Sequence, residues 1–482
     1  MSSTTRAASS QLAGRGRATT LLVCAGVLVL AALLGMRASP VWLGLLVAGL
    51  GGLLLFAQPA LGVLALTIVA LLPLVEINTG TDVNINAASL VIPALALIWL
   101  LDGVRRRRIS IVRTRANLPL LLFLAAGLAS LLIGRVTWNI FVPIDSSFLL
   151  VQLAQWAIFA FSALAFWLAA NLIDDEAALW RMTALFLLLA GGVAILRLVP
   201  GLDGLVKRVV TLAFIRAPLW VLLTALAAGQ LFFNHRLSTA WRLFLMAALL
   251  GALIYAFVEE QEAVSNWVGL AAALGALLWL RFPRLRIPVL VLVVLMVAAG
   301  GLFSTLYDFA GGDQEWQGSG ASRLVLIERV VDVTMRNPIT GLGPAAYRRY
   351  AAMEPLRYGR ALWAVPNVNS HNNYVDIFSH TGLVGLVLFL WFMAEVAWLG
   401  WRLRRRYQRG FTAGYVNGML AAWAAMMVIM LLLDWFLPLV YNVGFRGFQA
   451  SVLVWLFLGG LVALENMPNS QPDSPRQTTA SG

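Results

Sequence analysis

The sequence predicts an all-α polytopic membrane protein of about 12–14 transmembrane helices, with one large extracytoplasmic loop that contains short amphipathic helices. Three observations predict it. Hydrophobic residues make up 61% of the 482 and charged residues only 12%, with a mean hydropathy of +0.84, which excludes an ordinary soluble enzyme. Apolar runs of roughly 17–22 residues recur along nearly the whole chain, each long enough to cross about 30 Å of hydrocarbon as a helix. The runs are continuous rather than alternating, and backbone polar groups in lipid must be satisfied internally, so helices are expected rather than a β-barrel.

In chain order, residues 1–19 are expected to be a cytoplasmic tail. Arg6, Arg15 and Arg17 precede the first apolar run as in a signal peptide, but Arg37-Ala38-Ser39-Pro40 is a poor cleavage site, so that run reads as the first span. A helix bundle is expected over 20–305. Its spans lie near Thr20–Met36, Val41–Ala57, Leu61–Val75, Ala88–Leu101, Leu118–Gly134, Phe148–Asn171, Met182–Val199, Leu219–Phe233, Trp241–Val258, Val264–Leu280 and Ile287–Ser304. Residues 306–380 form the extracytoplasmic loop. Residues 381–464 carry the last spans, near Leu383–Trp401, Phe411–Leu433 and Phe445–Leu464, and 465–482, rich in Ser, Pro, Gln and Thr, read as a disordered cytoplasmic tail.

The net charge of +13 is placed in short hydrophilic breaks: Arg105–Arg108 with Arg113 and Arg115, Arg236 with Arg242, Arg281 with Arg284 and Arg286, and Arg402–Arg409. Alternation from a cytoplasmic N-terminus puts every such break inside, the pattern of loops held beside anionic membrane lipids. With no folded domain to carry a basic patch, nucleic acid is not expected as a partner. The single cysteine, Cys24, excludes a disulfide framework. No cofactor is expected either. Gly341-Leu342-Gly343-Pro344 lacks the lysine of a phosphate loop, Asp174-Asp175 stands alone, and no cytoplasmic loop is long enough to fold as a nucleotide domain. Any reaction is therefore expected to face outward and draw on a substrate already in the membrane.

The large loop is the candidate site. Ala321–Arg336 reads as an amphipathic helix, with Leu324, Ile327, Val331 and Met335 on one face and Glu328, Arg329, Asp332 and Arg336 on the other. Arg323 falls at the edge of the apolar face. The pattern leaves two readings open: an arginine snorkelling from a helix end, or a guanidinium aimed into a membrane-level cavity where its planar fork suits a phosphate. Asn337-Pro338 stops the helix, and a second short one is expected around Tyr347–Tyr350. Arg348, Arg349, Arg357 and Arg360 raise the loop's arginines to seven, against the positive-inside trend; each alone fits a solvated face, together they suit an anionic headgroup. Ser370 is the expected N-cap of the next helix, with His371 at its first position, where the helix dipole would keep the imidazole neutral and able to accept a proton. His235 and His380 are weaker candidates.

Two motifs in this loop carry a family resemblance. One is Ser322-Arg323 leading a helix to Asn337-Pro338-Ile339-Thr340-Gly341-Leu342-Gly343; the other is His371-Asn372-Asn373-Tyr374 followed by Gly382-Leu383-Val384-Gly385. Their order and placement resemble the O-antigen ligase and O-antigen polymerase family of bacterial membrane glycosyltransferases. The resemblance implies a GT-C-like enzyme of the cytoplasmic membrane that takes a polyprenyl-diphosphate-linked glycan as donor and a glycan, lipid or cell-wall polymer as acceptor, without nucleotide or metal. It implies His371 as the essential histidine and Arg323 as the loop arginine, with Asn372, Tyr374, Arg348 and Arg349 expected at the substrate. The family often has Ser-Arg-Gly at the outer end of a middle helix. Here Ser265-Asn266 stands in its place, and Arg216 is the candidate substitute.

The implied reaction has His371 withdraw a proton from the acceptor hydroxyl while Arg323 and Arg216 stabilise the leaving diphosphate, inverting the anomeric centre. The rival from another class is a transporter or flippase of lipid-linked oligosaccharide, which would carry charge inside its spans rather than in the loop. Polymerase and ligase, sugar and linkage stay open.

Overall fold

The computed structural model describes residues 49, 51–52, 54–72, 76–78, 84–107, 111–202, 204, 206, 216–260, 263–298, 321–353, 370–442 and 444–467. The expected span at 20–36, most of that at 41–57, Arg357, Arg360 and residues 207–215 lie outside them.

The unit formed by residues 60–482 carries, in order, helix α1 (Leu61–Leu71), a two-stranded antiparallel hairpin (β1, Glu76–Asn78; β2, Asn84–Asn86), then α2 (Ala87–Arg105), α3 (Asn117–Val136), α4 (Phe148–Leu172), α5 (Glu176–Arg197) and α6 (Ala217–Phe233). It continues with α7 (Thr239–Ile254), which ends in a π-turn at Tyr255–Glu259, α8 (Val264–Arg281) and α9 (Arg286–Ala298). The loop helices α10 (Ala321–Thr334) and α11 (Tyr347–Met353) follow, and α12 (Asn373–Arg406), α13 (Gly410–Ile429) and α14 (Gly444–Asn466) close the chain. The protein is an all-α polytopic membrane protein. Eight described helices are long and apolar enough to cross a bilayer, and Leu61–Leu71 and Ala217–Phe233 are shorter apolar helices. The third expected span, Leu61–Val75, is thus cut back to eleven residues.

Burial orders the bundle. The apolar window of α14 is buried along its whole length, as a helix apolar on every side must be, and α4 lies along it. Helix α6 packs on α13 through facing glycines: a side chain at Gly229 would strike the Gly414 carbonyl and the Gly418 backbone. Outside, Leu118, Leu121 and Leu132 of α3 and Leu383, Val387 and Trp391 of α12 remain exposed, as a lipid-facing surface requires.

Polar contacts sort the helix ends into two sets. At one end, Val112 N–H donates to Asn171 Oδ1, Gln230 Nε2 to the Phe411 carbonyl, Arg404 Nη2 to the Leu280 carbonyl, and Arg402 pairs with Glu465. These contacts gather the described parts of the arginine-bearing breaks, 105–107 with 111–117, 234–242, 281–286 and 402–409, at a single basic end. The opposite, loop end carries 134–147, 337–350, 370–382 and 430–442. Local caps fit this division: Asn86 and Ser89 form a reciprocal capping box at α2, and Asp175 caps α5.

Helix α12 has a break within it. Gly382 sits at φ 67°, ψ −170°, so Asn373–Thr381 is a separate short helix at the loop end, and the membrane-spanning part begins after the break.

Candidate active site

The two loop motifs lock onto each other. The break at Gly382 frees the Leu383 and Val384 amides, and the carbonyls of Pro338 and Ile339 accept them at 2.9 and 3.2 Å. Leu342 N–H donates to the Ser379 carbonyl. The backbones meet so closely that a Cβ on Gly341 would strike the Thr381 and Gly382 amides, and one on Gly382 the Ile339 carbonyl; both residues also need positive φ. His380 is buried here, and its Nδ1 accepts the Ala345 amide, so it braces the turn.

The second motif clips the 430–442 turn in place. Asn373 is fully buried: its amide donates to the Met430 carbonyl, its Nδ2 to Leu437, and its Oδ1 accepts the Phe436 and Leu437 amides. Asn372 Nδ2 donates to the Leu431 carbonyl, and the Tyr374 hydroxyl donates to the Met427 carbonyl at 2.8 Å. Asn373 thus makes four hydrogen bonds to one turn, three through its side chain and one through its backbone amide.

The cap differs from expectation. Asn372, not Ser370, caps the short helix, its Oδ1 accepting the Tyr374 and Val375 amides. Ser370 Oγ donates instead to Asp376 Oδ1 at 2.8 Å. His371 consequently stands one residue ahead of the cap, in the left-handed region at φ 53°, rather than at the first helical position. The dipole argument for a neutral imidazole falls with that placement. What meets the ring is a carboxylate: Nδ1 of His371, about a third exposed, lies 3.9 Å from Oδ1 of Asp434, which is fully buried.

Around Asp434 the turn supplies more polar groups. Asn442 Nδ2 donates to Asp434 Oδ2, while Asp434 Oδ1 has no hydrogen-bond partner among the described residues. The Arg216 guanidinium lies 4.3 Å over the ring of Trp435, the next residue, and its buried Nε likewise finds no described partner. Burial lowers the Arg216 pKa from its ordinary value, opposed by Tyr255, Asp434 and Glu260. Arg348 lies 4.6 Å over Tyr441. Beneath, Asp376 is buried with Oδ2 unpartnered among the described residues; burial, then Asp434, pushes its carboxyl well above the ordinary range, against the Ser370 hydrogen bonds.

The expected residues thus divide. Arg216, Arg348 and His371 border the 434–442 turn. Arg349 turns away to pair with Asp145, and the polar groups of Asn372 and Tyr374 are engaged with backbone. Arg323 is half-buried on α10, two turns from the buried Val330 on the docked side, and no described hydrogen bond or ion pair links it to His371. Arg329, expected on the charged face, is buried and donates to the Ala351 carbonyl, tying α10 to α11; its neighbours Glu328, Asp332 and Arg336 are exposed, and so are the apolar Leu324 and Met335. Asn266 is buried at the start of α8. Sequence reasoning gave Asp434, Trp435, Tyr441 and Asn442 no role. The signal was an acid set in the apolar run Leu431–Leu437, where an ionisable group needs a reason. Among the described residues, no three His, Cys, Asp or Glu side chains stand together as a metal site needs.

Residues 261–390 match the family model described as O-antigen ligase. The matched segment, a little over a quarter of the chain, contains both interlocked motifs and supports the O-antigen ligase/polymerase family. Arg216 and the 430–442 turn lie outside it. No curated protein matches the chain.

Proposed function

We propose that the protein is a glycosyltransferase of the O-antigen ligase/polymerase type, which transfers or polymerises glycan from a polyprenyl-diphosphate-linked donor at the outer face of the cytoplasmic membrane. The observation that carries this reading is His371 beside the buried Asp434, with the Arg216 guanidinium stacked on the adjoining Trp435. The family match over the loop favours transfer over transport of the same lipid-linked glycan. The gathering of the basic breaks at one end of the bundle supports both termini in the cytoplasm and the loop outside.

The chemistry follows from the charges. The acceptor hydroxyl gives its proton to His371 as its oxygen attacks the anomeric carbon; the carbon–oxygen bond to phosphate breaks, and its electron pair leaves on the polyprenyl diphosphate. One displacement inverts the centre, with no nucleotide or metal. As His371 becomes an imidazolium, Asp434 supplies the opposite charge from a site shielded from water, where such pairing is strongest. Arg216, Arg348 and Arg323 are the groups assigned to the diphosphate, because a guanidinium fork matches phosphate oxygens in two places.

Purified protein reconstituted with lipid-linked donor and an acceptor is expected to yield extended or transferred glycan, read by product mass. Arg323→Ala protein is expected to insert normally and give no product. Donor that crosses the bilayer with unchanged mass would overturn the proposal.

A further inference from the structure

Helix α7 closes on its π-turn, the Glu260 amide donating to the Tyr255 carbonyl at 2.9 Å. Such turns are rare and recur at functional sites. Tyr255 is buried and its ring is gripped: it stacks on the buried Trp220 of α6, 4.4 Å between centroids, and the Arg197 guanidinium lies 4.2 Å over it. Glu259 of the same turn pairs with Arg197 at 3.2 Å. The ring is thus fixed, yet its buried hydroxyl has no hydrogen-bond partner among the described residues. A buried tyrosine normally finds one.

Two more buried atoms share that condition. Arg216 stands one turn before Trp220 at the start of α6, and its Nε is one of them. Its guanidinium lies over Trp435, beside Asp434, whose Oδ1 is the other. Tyr255 and Asp434 are the foremost electrostatic neighbours of Arg216. Three unmet atoms therefore gather around one arginine, and they differ in kind. An Nε–H only donates, a carboxylate oxygen only accepts, and a phenol does either. A phosphate would satisfy the first and repel the second; an ammonium would do the reverse. A hydroxyl suits all three, since it donates once and accepts twice.

We infer that Tyr255, Arg216 Nε and Asp434 Oδ1 hold a hydroxyl of the sugar joined directly to the donor's diphosphate, which makes Tyr255 a residue that selects the donor sugar. Arg216 keeps its Nη groups for the diphosphate, so the hydroxyl beside it belongs to that first ring. The inference rests on the transferase reading and adds a sugar requirement to it, carried by residues outside the matched segment 261–390.

Tyr255→Phe tests it, since it removes one oxygen and keeps the stacked ring. Lipid-linked donors are compared whose first sugar has each free hydroxyl replaced in turn by hydrogen. One such analogue is expected to lose about 10–100-fold in kcat/KM with the unsubstituted protein, and Tyr255→Phe a similar factor on the parent donor. Combined, the two losses are expected not to multiply, because both delete the same contact. Losses that multiply for every analogue overturn the subsite, since packing or a phosphate contact would act on all donors alike. An unmoved kcat/KM in Tyr255→Phe overturns it as well and leaves the hydroxyl to a buried water. Coupling found only with deoxy acceptors overturns the assignment to the donor. Should the unsubstituted protein turn over no donor, the transferase reading fails, and the same cycle is read from the Kd of a polyprenyl-diphosphate-linked hexose and its monodeoxy forms. There, too, non-multiplying losses support the subsite, and multiplying losses or no binding overturn it.

Discussion

Arginines crowd both ends of the bundle, yet they are used differently. At the basic end they close helix C-termini: Arg404 donates to the Leu280 carbonyl and to Asn417, and Arg406 to the carbonyls of Glu465 and Met467. Their donors are consumed by the orphan carbonyls that every helix leaves behind. At the loop end Arg216 and Arg348 lie 4.3 and 4.6 Å over aromatic rings, whereas Arg404 and Arg406 stand 5.2 and 5.1 Å from theirs while bonded to carbonyls. The lesson is that positive charge alone does not mark a site. The partner of the charge does.

The sharpest way to break that contrast is at the loop end. His371→Ala is expected to reduce transfer by about 10²–10⁴-fold with unchanged membrane abundance, measured as product formed in proteoliposomes. Wild-type turnover in that variant would end the assignment of a base. Arg216→Ala is expected to cost about 10²–10³-fold in kcat, whereas Arg404→Ala is expected to leave kcat alone and weaken the fold by about 1.5–3 kcal/mol, read by thermal unfolding in detergent. If Arg404→Ala lost as much activity as Arg216→Ala, the two ends would not differ in kind.

Asp434→Asn refines the comparison, since it keeps shape and removes charge. A fall of about 10–100-fold in kcat, with KM little changed, is expected if the carboxylate meets the imidazolium as it forms. An equal rise in KM points instead to a misplaced turn.

The smallest effect concerns Asp376, whose carboxyl burial pushes well above the ordinary range, with Asp434 adding to it. A group with a folded-state pKa above its unfolded one contributes stability that is full below the unfolded value and lost as pH rises through the folded one. Unfolding temperature should therefore fall as pH rises across that window, and Asp376→Asn, which cannot ionise, should flatten the curve. A parallel fall in the variant would assign the loss to other groups.

Much of the fold was legible because its causes are local. Continuous apolar runs demand helices in lipid, and breaks rich in arginine demand a common side. The loop motifs were legible as well, since Gly341 and Gly382 combine positive φ with backbone contacts too close for a Cβ. Boundaries were less so: Phe411–Leu433 reads as one apolar run, but the helix ends at Ile429 because Asn372 and Asn373 capture the next backbone groups. Arg329 was misread for a related reason, since helical periodicity gives a face but not what packs on it.

From residues alone came the membrane helices, the two-ended distribution of charge and the histidine of the loop, all of which depend on neighbours in the chain. Folding alone decided that His371 faces Asp434, that Arg216 lies on Trp435, and that Arg349 turns away to Asp145. These pairs join residues far apart in sequence, and only the meeting of the Gly382 break, the asparagine clip and the 430–442 turn brings them within reach.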